Sequence, residues 1–176
     1  MRLRGTPESW IAALTGPSER AWKHATLTMG GLQPEHEVDP APFIRALDSD
    51  NDEVVFWSVT ALGRLRRRAQ SAVPRLIEAA THSLIAVREA VIVALVRIAP
   101  ADVPAKRAIF ARFRDRSPIV RSEALRAVTD LRGLEPADFR KVRGRLRDRN
   151  ADVRDDARTT IDNIKRRKAF AGLRAQ

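Results

Sequence analysis

The chain has 176 residues, of which 44% are apolar, no cysteine and a formal net charge of +11. This length suits a single domain, the apolar fraction excludes a disordered chain, and the lack of cysteine excludes disulfides and thiolate metal sites. No apolar run approaches the ~20 residues of a transmembrane helix, and no apolar segment follows Arg2 and Arg4 as it would in a signal peptide, so a cytoplasmic protein is expected.

A pattern of apolar residues recurs every 33 residues along the chain. The segment FIRALDSDNDEVVFWSVTALGRL, from Phe43, aligns without a gap with LIEAATHSLIAVREAVIVALVRI, from Leu76. Of the 30 positions in six aligned columns, 29 are apolar, where the overall composition would give about 13. The columns begin at Trp10, Leu14, Ala21, Ala25, Met29 and Leu32.

Each repeat is predicted to be a short helix A followed by a longer helix B. The first two columns are four residues apart, and the last four lie at offsets 0, 4, 8 and 11, so each set forms one face of a helix. A proline near the start of each helix A costs no helical hydrogen bond. The chain is therefore predicted to be all-α, an α-solenoid of five antiparallel helix pairs that share a core. The predicted repeats are 6–33, 39–66, 72–99, 105–132 and 138–168 of one domain, 1–176, with a frayed tail at 169–176.

Three segments resemble helix B of HEAT repeats, namely LIAVREAVIVALVRI, SPIVRSEALRAVTDL and NADVRDDARTTIDNI. The segment ALGRLRRRAQSAVPRLIEA is similar to the HEAT-like repeats of phycobilin lyases. The resemblance covers about residues 6–168, and it implies a ladder of Asp–Arg contacts between repeats. Trp22 and Val55 take the arginine column in repeats 1 and 2, so the ladder is expected to be missing or altered there. The implied ladder residues are Asp115 and Asp148 with Arg88, Arg121 and Arg154.

No pattern of catalytic or cofactor-binding residues is present. The motifs HExxH, GxGxxG, GxxxxGK[ST] and GxSxG are absent. None of the three histidines, His24, His36 and His82, has the neighbouring ligands that a metal site needs. We therefore expect a protein that is not an enzyme, with no catalytic, cofactor-binding or metal-binding residue. HEAT-like DNA glycosylases and phycobilin lyases are similar in architecture alone, so either activity is a remote alternative.

The positive charge belongs to the carboxyl-terminal part of the chain. Residues 1–103 hold 12 basic and 12 acidic side chains, whereas residues 104–176 hold 21 basic and 10 acidic ones. Several of the basic residues recur at the repeat spacing, so stacked repeats would align them in rows. Such rows predict a patch that binds nucleic-acid phosphate or an acidic partner, with a plain solvated surface as the alternative. The patch consists of Lys106, Arg107, Arg112, Arg114, Arg116, Arg140, Lys141, Arg145, Arg147 and Arg149.

Three aromatic residues near the start of helix B in repeats 1 and 2, Trp22, Phe56 and Trp57, form a second candidate site. If these residues are exposed, they would bind a protein partner. Alternatively, they fill the space that the missing ladder leaves. Two functions stay open. One is a non-catalytic scaffold that presents a rigid helical-repeat surface to a protein partner. The other is a sequence-nonspecific nucleic-acid binder that uses the basic repeats. The oligomeric state stays open as well.

Overall fold

The protein is entirely helical in the computed structural model, which describes the backbone of residues 4–173 and the side chains of residues 4–167. Within this range there are ten α-helices and three 3-10 segments but no strand, as predicted. Odd-numbered helices are the predicted helices A, and even-numbered ones are the predicted helices B. The α-helices are α1 (Pro7–Thr15), α2 (Glu19–Gly30), α3 (Ala41–Ala46), α4 (Asp52–Leu65), α5 (Val73–Ala79), α6 (Ile85–Ile98), α7 (Val103–Ala111), α8 (Pro118–Val128), α9 (Pro136–Gly144) and α10 (Ala151–Leu173). The 3-10 segments are Arg66–Ala72, Arg112–Arg114 and Arg145–Arg147.

The chain divides between Ala99 and Pro100 into two compact units. The first unit holds α1–α6, the helices of repeats 1–3. The second unit holds α7–α10, the helices of repeats 4 and 5. In each unit, neighbouring helices B contact one another, and each helix A packs on the helix B that follows it.

An aspartate in the turn binds the residue just before helix B in both repeats of the second unit. Asp115 accepts the backbone N–H of Ser117 at 2.9 Å, and Asp148 accepts that of Asn150 at 3.0 Å. The Asn150 side chain then accepts the N–H of Val153 at 3.1 Å. The Asn150 contact caps α10, because it satisfies an N–H group that the first turn of the helix leaves free, and such a cap is worth about 1 kcal/mol. Ser49 and His82 make the equivalent first contact in repeats 2 and 3.

The core of the first unit lies between its three helices B. Within it, α4 contacts both α2 and α6. Gly63 permits a close approach of α4 to α6, because a Cβ at this position would lie 3.1 Å from the Cα of Ala94. Phe43, Leu62 and Leu95 are fully buried in this core.

The core of the second unit lies between α8 and α10. Ile109 of α7, Leu125 of α8 and Val142 of α9 have no accessible surface. Thr160 of α10 is also buried, and its hydroxyl donates a hydrogen bond to the Leu125 carbonyl at 3.0 Å. A polar group placed in this core is therefore satisfied by the neighbouring helix.

The six aligned columns form the core. All their positions are buried except Ala21 and Leu146, which are half-buried. These two lie in the first and last repeats, which have a neighbour on one side only.

Two features differ from the predicted repeats. The break between repeats 2 and 3 is a 3-10 segment, Arg66–Ala72, which begins at Arg66 with a left-handed φ of 51°. Helix α10 continues to Leu173, into the segment predicted as a frayed tail, while the rest of that tail, 174–176, lies outside the described residues.

Candidate binding surface

A groove of about 470 Å³ lies between α7 and α9 in the second unit. We call it the basic groove. Its lining contains no acidic side chain. We call its apolar lining residues the floor, which are Phe110, Ala111, Phe113 and Gly144, and its basic lining residues the rim, which are Arg107, Arg114, Arg140, Lys141 and Arg145.

The basic groove is open because two equivalent positions carry small residues. Ala111 of α7 and Gly144 of α9 occupy one column of the repeat, and a Cβ added to Gly144 would meet no atom within 4 Å. The same column holds Arg45 in repeat 2 and Glu78 in repeat 3. Glu78 projects a long side chain that pairs with Arg75. The shape of the groove thus follows from two missing side chains.

The floor of the groove is apolar and firmly packed. The Phe110 and Phe113 rings meet edge to face with centroids 5.2 Å apart, and they are 7% and 4% exposed. The ammonium of Lys141 lies 4.6 Å from the Phe110 ring centroid, which is a cation–π contact. Lys141 therefore covers a face of the Phe110 ring, and both rings are almost fully buried.

Three cations on the rim are free of intramolecular partners. Among the described residues, Arg107, Arg114 and Arg140 form no ion pair and no side-chain hydrogen bond, and all three are exposed. The other two are engaged. Lys141 lies 3.0 Å from Asp138. Arg145 donates to the Phe113 carbonyl at 3.0 Å, while its buried Nε has no hydrogen-bond partner.

A buried ion pair lies beside the groove, where the predicted ladder is confirmed for one step. Arg121 grips Asp148 with two hydrogen bonds, from Nε to Oδ2 at 3.0 Å and from Nη2 to Oδ1 at 2.8 Å. Both side chains are 5% exposed. This bidentate contact joins α8 to the turn before α10 and is a strong form of hydrogen bond because both partners are charged.

Each ladder arginine also donates a hydrogen bond to a backbone carbonyl in the turn between helices A and B of its own repeat. Arg121 donates from Nη1 to the Asp115 carbonyl at 2.9 Å, and Arg154 does the same to the Asp148 carbonyl at 2.9 Å. In the first unit, Arg88 donates to the His82 carbonyl at 2.8 Å. This backbone contact recurs in repeats 3–5, and sequence reasoning missed it.

The ion pair fixes the charge of Asp148. Burial raises the pKa of this carboxyl, but the hydrogen bonds from Arg121 and from the Asn150 N–H, with the charges of Arg121 and Arg145, outweigh burial and hold the pKa below its ordinary range. Asp148 is therefore ionised at neutral pH.

We expect Asp148→Asn to make unfolding less sensitive to acid. A carboxyl whose pKa is lower in the folded state contributes stability that is complete above its unfolded pKa, near 3.9, and is lost as pH falls through the lower folded value. The variant should be less stable at pH 7 and should lose less stability as the pH falls below about 4. Urea unfolding followed by far-ultraviolet circular dichroism at several pH values measures this. Asp155→Asn, which alters an exposed pair with Arg158, is the control and should keep the wild-type acid dependence; an unchanged slope for Asp148→Asn would contradict the assignment.

Lys106 differs from its predicted place in the patch. It is 9% exposed, and its ammonium lies 3.3 Å from Asp138 Oδ2 and donates to the Gly133 carbonyl at 3.0 Å. Burial raises the pKa of Asp138, but the Glu135 N–H, Lys141 and Lys106 together hold it below its ordinary range. Lys106 therefore stabilises the start of α9 and does not face solvent.

The remaining patch residues divide into two groups. Arg112 and Arg145 are half-buried and lie 3.7 Å from Asp115 and 3.8 Å from Asp148, so their charges are partly neutralised. The other members are exposed, and they are Arg107, Arg114, Arg116, Arg140, Lys141, Arg147 and Arg149. The groove gathers Arg107, Arg114 and Arg140, while a shallower pocket of about 340 Å³ is lined by Arg114, Arg147 and Arg149 among others.

The aromatic residues of the first unit are neither free nor fully buried. Trp22, Phe56 and Trp57 are all half-buried. The Trp22 indole N–H donates to Glu53 Oε1 at 2.8 Å, and Phe56 meets Trp57 edge to face at 5.3 Å. In repeat 1 a hydrogen bond from tryptophan to glutamate thus occupies the column that holds arginine in repeats 3–5, in agreement with the prediction that the ladder is missing or altered there. A protein-binding role for these residues stays a prediction.

The described histidines and acidic residues form no candidate metal site. Within residues 4–167, no three His, Asp or Glu side chains come together as a metal site would require. His36 accepts the Gln33 N–H, and His82 lies 3.6 Å from Asp52. None of the described helices is both long and apolar enough to cross a membrane.

Solved structures identify the class of fold. The complex of CpcE and CpcF of phycocyanin lyase from Nostoc sp. PCC7120 is similar with a TM-score of 0.72 and 19% identity, over 88% of this chain and 96% of that one. An engineered protein is similar with a TM-score of 0.63 and 16% identity, over 89% and 79%. A designed armadillo repeat protein in complex with the peptide (KR)4 has a TM-score of 0.62 and 15% identity, over 88% and 80%. No family model matches the sequence, and no curated protein does.

The protein therefore has the α-solenoid fold of HEAT-like and armadillo repeat proteins, as its 33-residue period predicted. At these identities the likeness concerns the fold alone, because one fold hosts many functions. Folds of this class are typical of scaffold and binding modules.

Proposed function

We propose that the protein is a non-catalytic binding module whose second unit holds an acidic protein partner. The observation that carries the proposal is the basic groove, where Arg107, Arg114 and Arg140 surround an apolar floor with no acidic side chain among the lining residues. Guanidinium groups without partners repel one another, and an external anion relieves that repulsion. A carboxylate suits arginine well because the two can form paired hydrogen bonds.

The state of the buried carboxylates supports a non-catalytic role. Asp138 and Asp148 are the acidic groups whose pKa values are lowered, and each is bound by a cation and by a backbone N–H. A general acid or base at neutral pH needs a pKa near 7, whereas both groups are held in the ionised form. The phycocyanin lyase complex shares the fold at 19% identity, so its named activity supports a lyase only as a remote alternative.

Nucleic-acid binding is the second candidate, and a separate observation favours it. Arg114 and Arg147 occupy the same column in repeats 4 and 5, are both exposed and form no ion pair with any residue from 4 to 167. A row of this kind can follow a phosphate backbone without reading sequence.

Reversing the groove charges is expected to weaken binding of an acidic polypeptide. We expect a short polyglutamate peptide to bind the wild type at low salt, and Arg107→Glu/Arg140→Glu to weaken it by about 10- to 100-fold, since two charge contacts become repulsive. Titration calorimetry or fluorescence anisotropy measures both affinities. Arg64→Glu/Arg67→Glu is the matched control, because it makes the same charge change at exposed, unpaired residues of the first unit.

The salt dependence separates the two candidates. A mixed-sequence DNA duplex measured beside the peptide should bind weakly to every variant. Tight duplex binding with a steep salt slope, lost in Arg114→Glu/Arg147→Glu, would favour the phosphate candidate instead. The proposal would be contradicted if the wild type did not bind the peptide at low salt, or if Arg107→Glu/Arg140→Glu bound it with the wild-type affinity.

A further inference from the structure

We infer that the basic groove takes an extended acidic segment that carries one bulky apolar side chain, with that side chain seated between Ala111 and Gly144 and flanked by carboxylates on the rim arginines. The inference rests on the proposed function and names the chemistry of the segment.

The floor has the size and character of an apolar subsite. The groove volume of about 470 Å³ lies within the range of ordinary ligand pockets. Phe110, Phe113 and the methyl group of Ala111 form its apolar surface, and a Cβ at Gly144 would meet no atom within 4 Å. A leucine or phenylalanine side chain placed there would remove apolar surface from water on both partners, which favours binding.

The positions of the rim arginines define the spacing of the acids. Arg107 and Arg140 occupy one repeat column on α7 and α9, and both line the groove. Arg114 follows Arg107 by one helical turn and a 3-10 segment, which places it roughly 10 Å farther along. An extended peptide covers that distance in about three residues. The segment therefore has acidic residues about three positions apart, with the apolar residue between them.

The groove is poorly suited to nucleic acid. Single-stranded binders stack bases on exposed aromatic faces, whereas Phe110 and Phe113 cover each other edge to face and are almost fully buried. A duplex would contact mainly the exposed guanidinium groups of the rim.

Gly144→Leu tests the inference, because it fills the groove without changing its charge. A leucine at this position of α9 has room in the free protein and is a better helix former than glycine. The probes are a glutamate-rich peptide with one central phenylalanine and the same peptide with alanine at that place. We expect the wild type to bind the phenylalanine peptide about 10- to 100-fold more tightly, and Gly144→Leu to erase that preference. Ala12→Leu, at the same repeat column on α1 where Ala12 is exposed, is the matched control and should keep it.

Each outcome has a defined meaning. Equal affinity of the wild type for the two peptides overturns the apolar subsite while the charge-based proposal stands. The apolar subsite is also overturned if Gly144→Leu keeps the wild-type preference for the phenylalanine peptide, or if it loses the same affinity for both peptides. Failure of both peptides to bind the wild type refutes the proposed function itself, and duplex binding that is weakened by Gly144→Leu would assign the groove to nucleic acid and overturn the inference.

Discussion

Replacing Arg121 with alanine is expected to lower the free energy of unfolding of the second unit by about 3–5 kcal/mol. The substitution leaves the Asp148 carboxylate 5% exposed without the guanidinium that grips it, and a buried charge without its partner is costly. It also removes the hydrogen bond to the Asp115 carbonyl. Far-ultraviolet circular dichroism in urea follows both units, whereas tryptophan fluorescence follows the first, because Trp10, Trp22 and Trp57 all lie there.

Arg154→Ala is the matched control for this prediction. Arg154 makes the same backbone contact, to the Asp148 carbonyl at 2.9 Å, but forms no ion pair with any described side chain. Its loss should cost about 1 kcal/mol, the net value of one hydrogen bond. The double substitution Arg121→Met/Asp148→Leu should recover much of the loss, since it removes both charges. If Arg121→Ala is no more harmful than Arg154→Ala, the buried pair does not stabilise the fold as argued.

Leu95→Ala is expected to lower the free energy of unfolding of the first unit by about 2–5 kcal/mol. Leu95 is 1% exposed on α6, and its helix is covered by α4 and α5, so the space left by the lost side chain cannot collapse easily. The fluorescence midpoint in urea measures the effect in the first unit. Ile164→Ala, in the last repeat on α10 with 4% exposure, should cost less because its surroundings can relax, and far-ultraviolet circular dichroism measures its effect on the second unit. Equal losses at the two positions would contradict the repeat-based account of the core.

The core could be predicted from the sequence because periodicity is a direct record of burial. Apolar residues that recur every 33 residues at helical spacing lie on the same face of each helix. The columns through Phe43, Leu62 and Leu95 are buried as expected. The 3-10 start at Arg66 was not predicted, since a left-handed φ at arginine has no signature in composition or pattern.

The candidate site could be predicted only in part. Repeat spacing located Arg107 and Arg140 on neighbouring helices, and counting charges found the basic unit. Pattern alone could not show that Lys106 turns inward, because its partner Asp138 occupies a column that holds Thr6, Asp39, Ala72 and Ala105 in the other repeats and so has no constant chemical character. The rows of basic residues in the sequence also did not reveal the groove. The available signal was the small pair Ala111 and Gly144 on consecutive helices A of the basic unit, in a column that holds Arg45 and Glu78 in repeats 2 and 3 and Ala12 in repeat 1.

The groove is present before any ligand arrives, because Ala111 and Gly144 leave it open and no movement of α7 or α9 is needed. A partner segment would then associate at a rate set by diffusion and long-range attraction, without a preceding conformational step. The excess positive charge of residues 104–176 carries that attraction over about 10 Å in 0.1 M salt. Acidic partners would therefore share a similar, fast association rate. They would differ mainly in the dissociation rate of the complex, which the apolar contact lowers.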